Sequence, residues 1–134
     1  MKIINIVLKI VLCLLLVSPI LGALGIFPAP TPDLYNNPNS FAFIDILFDS
    51  RYVVYLIAIV FAISILLIAT NRTALAALLI LPITVNIIGF HAFLDGGLFT
   101  GGAIMADMLL VLNVYFLWQN CPQYKVLWNK SVAS

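Results

Sequence analysis

Glutamate is missing from this chain, histidine occurs once, cysteine twice, and charge of either sign is scarce. Aspartate supplies all five acids, against six lysines and arginines. Charged residues fill 8% of the 134 positions, where a soluble domain carries about 25%. So little charge cannot coat a water-soluble globule. The net charge of +1, with no basic stripe, excludes nucleic acid as a partner, because phosphates need clustered lysine and arginine. One histidine, two scattered thiols and no glutamate make no closed metal site. A haem held by two histidines is likewise excluded within the chain. No HExxH, GxSxG, P-loop or dinucleotide motif occurs, so no catalytic residue is assigned and an independent enzyme is not expected.

Cys13 and Cys121 lie far apart and form no CxxC pair. We read both as small apolar fillers, with a disulfide or redox pair as the minor reading.

What the chain does have is apolar residues: 64% of the total, with a mean hydropathy of +1.19. They fall into four runs. The organising one lies between Asn71 and Gly97 and carries Pro82, Asn86 and the lone His91. A helix from Thr73 to Leu94 would rise roughly 33 Å at about 1.5 Å per residue, enough for a hydrocarbon core of about 30 Å. Polar groups at that depth are costly, which makes Asn86 and His91 candidates for function. Asp95 follows His91 at i+4, and Gly96-Gly97 suit the left-handed end of a helix.

The first run, residues 3–24, begins beside Lys2 and Lys9. It exceeds the roughly 7–15 apolar residues of a signal peptide, so we read a retained first span with Pro19 near its far end. Pro28, Pro30 and Pro32 then predict an extended loop. Asn37-Pro38 reads as a cap followed by a first-turn proline. Over residues 38–48, Phe41, Ile44 and Phe48 share one face, while Asp45 and Asp49 fall on the other. That is an amphipathic helix too short to span, lying at the interface as a lid or a gate. The second span is expected over 52–69, capped by Asp49 or Ser50. Arg51 sits at its mouth, reaching headgroups or Asp49. Thr70-Asn71-Arg72 is too short a loop to allow anything but antiparallel neighbours.

The fourth span is expected over 98–118, with Asp107 near its centre and Asn113 deeper. An intramembrane carboxylate is a functional candidate by default. Asp107 is read either as packing glue bonded to Asn86 or as part of an Asn86/His91/Asp107 ligand cluster. Tyr115, Trp118, Tyr124 and Trp128 suit an aromatic belt, and residues 119–134 form a cytoplasmic tail. Lys2, Lys9, Arg72, Lys125 and Lys130 fall on one side and Arg51 alone on the other, which predicts both termini inside. Two sequons, at Asn71 and Asn129, lie on that inner side and are read as chance matches.

The block Thr70-Asn71-Arg72, then Pro82-Ile83, Val85-Asn86, Phe90-His91 and Phe93-Leu94-Asp95, resembles the DoxX-like family of small four-span membrane proteins. Leu112 to Trp118 is similar too. Where related chains often carry a glutamate and paired glycines in the second span, Phe61 and Ser64-Ile65 stand here. The resemblance implies an all-α transmembrane four-helix bundle. It also implies links to quinol oxidation or to thiol and oxidative-stress complexes.

Two functional expectations follow. The first is a single-domain, non-catalytic membrane subunit that docks a redox or thiol-handling partner, in a bacterial inner membrane. The second is a small transporter or a site for a quinone or other apolar ligand, built on Asn86, His91, Asp95, Asp107 and Asn113. A homo-oligomer is compatible with both, and no other cofactor is expected. The chain is expected to stay in the membrane pellet through an alkaline wash and to need detergent for release. Release into the supernatant would remove the lipid premise.

Overall fold

The computed structural model describes residues 1–129; Lys130 and the rest of the Asn129 sequon lie outside the described residues. Within them the chain is all-helical. The helices are α1 (Lys2–Ala23), α2 (Pro38–Ser50), α3 (Tyr52–Ala69), α4 (Thr73–Phe93), α5 (Ile104–Gln119) and α6 (Cys121–Trp128), with short 3-10 turns at Pro32–Leu34 and Gly101–Ala103. Four segments are long and apolar enough to cross a membrane: α1, α3, α4 and Gly101–Gln119. Their flanks leave large apolar side chains uncovered, among them Leu14, Leu56, Leu66, Val85 and Val111. Exposed apolar surface on every long helix is what lipid, and not water, accommodates.

The boundaries have local causes. Asn37 caps α2, its side chain accepting from the Asn39 amide at 3.0 Å, with Pro38 in the first turn. Between α2 and α3 the expected cap is replaced. Ser50 Oγ donates back to Leu47 O at 3.1 Å, and Arg51 turns the chain with φ 60° and ψ −30°. Asp49 makes no ion pair with Arg51, since the one close acid–base contact among the described residues is His91–Asp95. Asn71 carries the other positive φ outside glycine. There the amides of Asn71 and Arg72 bond back to Ile68 O and Leu67 O, which closes the α3–α4 turn. Helix α4 continues through Pro82.

Helix α1 packs on α3 and α5, and α4 packs on α3 and α5. The core they enclose is Leu12 and Leu16, Phe61 and Ile68, Ala76, Ala77 and Ile80, and Leu109, Leu112 and Phe116. Ala76 and Ala77 let α5 approach α4 closely, and Asn113 reaches across to donate to Ala77 O at 2.9 Å. At the same end, Lys9 Nζ reaches Asn71 Oδ1 at 3.4 Å, Tyr115 donates to Asn5 Oδ1 at 2.7 Å, and Tyr124 donates to Ala74 O at 2.8 Å. The start of α1, the α3–α4 turn and α6 therefore meet at one end of the molecule, and Lys2, Lys9, Arg72 and Lys125 go with them. Asp45, Asp49 and Asp95 lie at the other end.

Two expectations need correction, and the segment after α5, expected as a tail, begins with the helix Cys121–Trp128. Cys121 is exposed there, so it is not a packed filler, while Cys13 is half-buried; both thiols are free. The fourth helix begins at Ile104, since residues 94–100 form a loop and Gly101–Ala103 a 3-10 turn. That start places Asp107 in the first turn of α5, and not at mid-span.

Asn113 Oδ1 is buried without a partner, and Ala77 O belongs to a helix that can satisfy it without Asn113. Asn113→Leu is therefore expected to unfold within about 1 kcal/mol of wild type in mixed micelles. Asn113→Ala, which loses volume as well as the bond, should cost about 1–2 kcal/mol. Equal losses in both variants would show that the hydrogen bond, and not the filling, carries the site.

Candidate functional site

The site is built where the first loop and α2 close over the end of α4. Its keystone is Asp95, two residues beyond α4 and 1% exposed. Oδ1 accepts from the Asn36 amide at 2.9 Å and from Ser40 Oγ at 2.9 Å. Ser40 Oγ also lies 2.6 Å from Asn37 O, so its single proton is shared between two acceptors. Asn36 Nδ2 donates to the Asp95 carbonyl at 3.1 Å. Oδ2 faces His91 Nδ1 at 3.2 Å. One carboxylate thus joins the loop, α2 and α4.

The turn that presents Asp95 depends on glycine. Gly96 and Gly97 take φ of +87° and +110°, and the Gly97 amide reaches back to His91 O at 2.8 Å. A Cβ on Gly96 would sit 3.3 Å from Asn36 Cβ, so Asn36 lies tight over a bare backbone.

Burial acts to raise the Asp95 carboxyl. The Asn36 amide, the Ser40 hydroxyl and the His91 ring outweigh it and hold the group below the usual carboxylate range. The nearby Tyr35 phenol is pushed up, by burial first and by the Asp95 charge second. A carboxylate only accepts, so His91 Nδ1 carries the hydrogen between them. In the neutral ring this leaves Nε2 as an acceptor, and it has no hydrogen-bond partner among the described residues.

An aromatic cluster roofs the site. Tyr35 meets Phe90 edge-on with centroids 6.2 Å apart, Phe43 of α2 stacks on Phe90 at 5.9 Å, and Phe90 meets His91 edge-on at 5.1 Å. Beneath the roof, between α2, α3 and α4, lies a cavity of about 1020 Å³. Its wall is apolar, with Leu47, Leu56 and Ile83 typical, and Asn86, His91 and Asp95 share it. A second cavity of about 210 Å³ lies toward α1 and α5, and His91 and Gly102 border both.

Of the residues expected to form a cluster, Asn86, His91 and Asp95 line one cavity and Asp107 and Asn113 do not. Asn86 donates to Pro82 O at 3.1 Å on its own helix and makes no bond to Asp107. Asn113 is buried in the core as an α4–α5 clamp. Asp45 and Asp49 are exposed on α2, clear of the cavity wall. Sequence reasoning missed Asn36, Ser40 and Tyr35. They lie 55 to 60 positions from Asp95, where no local spacing reveals a contact; the one available sign was the polar Asn36-Asn37 pair next to a proline-rich loop. No group of three or more His, Cys, Asp or Glu capable of holding a metal occurs among the described residues.

Because folding lowers the Asp95 carboxyl, its contribution is complete above the unfolded value of about 3.9 and is lost as pH falls through the lower folded value. Thermal unfolding should therefore show an acid-labile step below about pH 4, and Asp95→Asn should weaken that step. Asp95→Ala should cost roughly 2–4 kcal/mol, as expected for stranding donors that faced a charge. An acid profile identical in wild type and Asp95→Asn would overturn the assignment.

Comparison with known proteins returns no matching family model, no matching curated protein and no matching solved structure.

Proposed function

We propose that this chain is a multi-pass membrane protein that takes an apolar ligand from the bilayer into the cavity between α2, α3 and α4. In this reading α1, α3, α4 and α5 form a transmembrane four-helix bundle and α2 is the interfacial helix over its outer mouth. The carrying observation is a cavity of about 1020 Å³ with an apolar wall that also carries four polar side chains, Tyr35, Asn86, His91 and Asp95. Ligand pockets run to about 300–1,000 Å³, mostly apolar with a few placed polar groups. Exposed Leu56 and Val85 on its rim make the flank of the helices, where lipid would lie, its open side.

The gathering of Lys2, Lys9, Arg72 and Lys125 at one end supports a threading with both termini cytoplasmic. The third-span block supports kinship with the DoxX-like proteins, and a quinone is one ligand that such a cavity suits. A second reading rests on α2. Its outer face carries exposed Asp45, Asp49 and Ile46 and would dock a redox or thiol-handling partner protein, making the chain a non-catalytic subunit.

Gly89 gives a clean test. It lines the cavity, and a Cβ there would meet nothing within 4 Å. Gly89→Leu should fill the space and leave the fold as stable as wild type or about 1 kcal/mol more so, since glycine is a poor helix former. Extracts of wild type purified in mild detergent should then yield a stoichiometric apolar molecule by mass spectrometry that Gly89→Leu lacks. Identical lipid profiles, together with a stoichiometric protein partner lost on Asp45→Lys and Asp49→Lys, would favour the subunit reading.

A further inference from the structure

We infer that the ligand is an uncharged long-chain alcohol, held with its hydroxyl on His91 Nε2 and its chain running out between α3 and α4. This rests on the cavity being a ligand site. The argument starts from charge. No lysine or arginine lines the cavity, so a phosphate, sulfate or carboxylate head would enter an apolar wall with no counter-charge. The wall's one acidic residue is Asp95, which is 1% exposed. Asn36 and Ser40 stand on its Oδ1 and His91 on its Oδ2, so a cationic head could reach the carboxylate only by displacing a donor.

An uncharged head remains, and the polar atoms specify its hydrogen bonding. His91 donates through Nδ1 to Asp95, which leaves Nε2 of the neutral ring as an acceptor. Asn86 gives one Nδ2 hydrogen to Pro82 O and keeps the other, together with its carbonyl oxygen, so it can both donate and accept. Both residues line the same cavity with the Tyr35 phenol, so the wall offers an acceptor at His91 Nε2 beside groups that can donate, a set that a hydroxyl, itself donor and acceptor, can meet. Asp95 fixes the ring, and Phe90 packs against it at 5.1 Å, so the acceptor is held in place before a ligand arrives. The tail is specified by the remaining wall. Leu47, Ile57 and Ile83 line it, and Leu56 and Val85 open it to the flank of the helices. The smaller cavity behind His91 is too confined for the chain, which therefore leaves on the lipid side.

The test equilibrates the purified full chain in detergent micelles with equal amounts of 1-hexadecanol, hexadecane, hexadecyl phosphate and hexadecyltrimethylammonium. Bound probe is then measured after gel filtration by mass spectrometry. Hexadecanol should be retained roughly three- to tenfold over hexadecane, as one neutral hydrogen bond allows, and roughly tenfold or more over either charged probe. His91→Phe should remove the preference for the alcohol over the alkane while retaining both. The wild-type head-group series stands without that variant, should its fold be disturbed. Equal retention of alcohol and alkane, or preference for a charged head, would overturn the inference and leave the cavity reading intact. Retention of none of the four probes by wild type, or equal retention in wild type and Gly89→Leu, would overturn both.

Discussion

A negative charge withdrawn from water has to be surrounded by donors, and that requirement organises the end of this molecule where the first loop and α2 meet α4. Asp95 is buried and accepts from a loop amide, a helix hydroxyl and an imidazole. None of these donors is free to sit elsewhere once the carboxylate is committed, because an unpaired buried charge is far more costly than an unpaired neutral group. The loop is therefore drawn down at Asn36, α2 is pinned at Ser40, and His91 is held in one tautomer and one orientation. The aromatic contacts of Tyr35, Phe43 and Phe90 then close the roof over a space that α3 and α4 do not fill on their own. The cavity is a consequence of this strap. Helix α2 is held above the groove by its ends and its inner face, and the groove stays open toward the flank.

The rest of the molecule follows from lipid as solvent. With an apolar surroundings, burial of apolar side chains gives helices little reason to associate, so packing detail and polar bonds have to do it. The observed devices fit. Alanines at 76 and 77 bring α4 and α5 together, Asn113 crosses between them, and Tyr115 and Tyr124 tie down the far end through hydroxyl bonds. Lys2, Lys9, Arg72 and Lys125 gather at that end, and the acids Asp45, Asp49 and Asp95 lie at the other together with Arg51, so most of the charge is sorted along the helix axes. Pro82 and Asn86 lie on the cavity side of α4, where Asn86 bonds back to the carbonyl of Pro82.

Much of this was legible in one dimension. Length and hydropathy of each run mark α1, α3 and α4, and the pair Asn37-Pro38 marks the start of α2. The spacing of His91 and Asp95 puts them one helical turn apart, near enough to meet. Hydropathy alone puts Asp107 too deep, because it carries the apolar run back to Leu98, whereas a loop and the 3-10 turn Gly101–Ala103 precede the helix that starts at Ile104. Asn86 was drawn toward Asp107 by depth alone, yet depth does not say which way a side chain points around a helix.

Hydropathy and the order of residues along the chain alone decided its apolar spans, its helical class and the grouping of most of its charges, because these depend on sums over many residues and on spacings of a few positions. What only the tertiary structure decided is which polar residues act together. Asn36 and Ser40 each lie more than fifty positions from Asp95, and a buried carboxylate chooses its donors by distance in space. The same holds for the cavity, whose wall comes from a loop and three helices and whose polar corner exists only once α2 has been strapped across them.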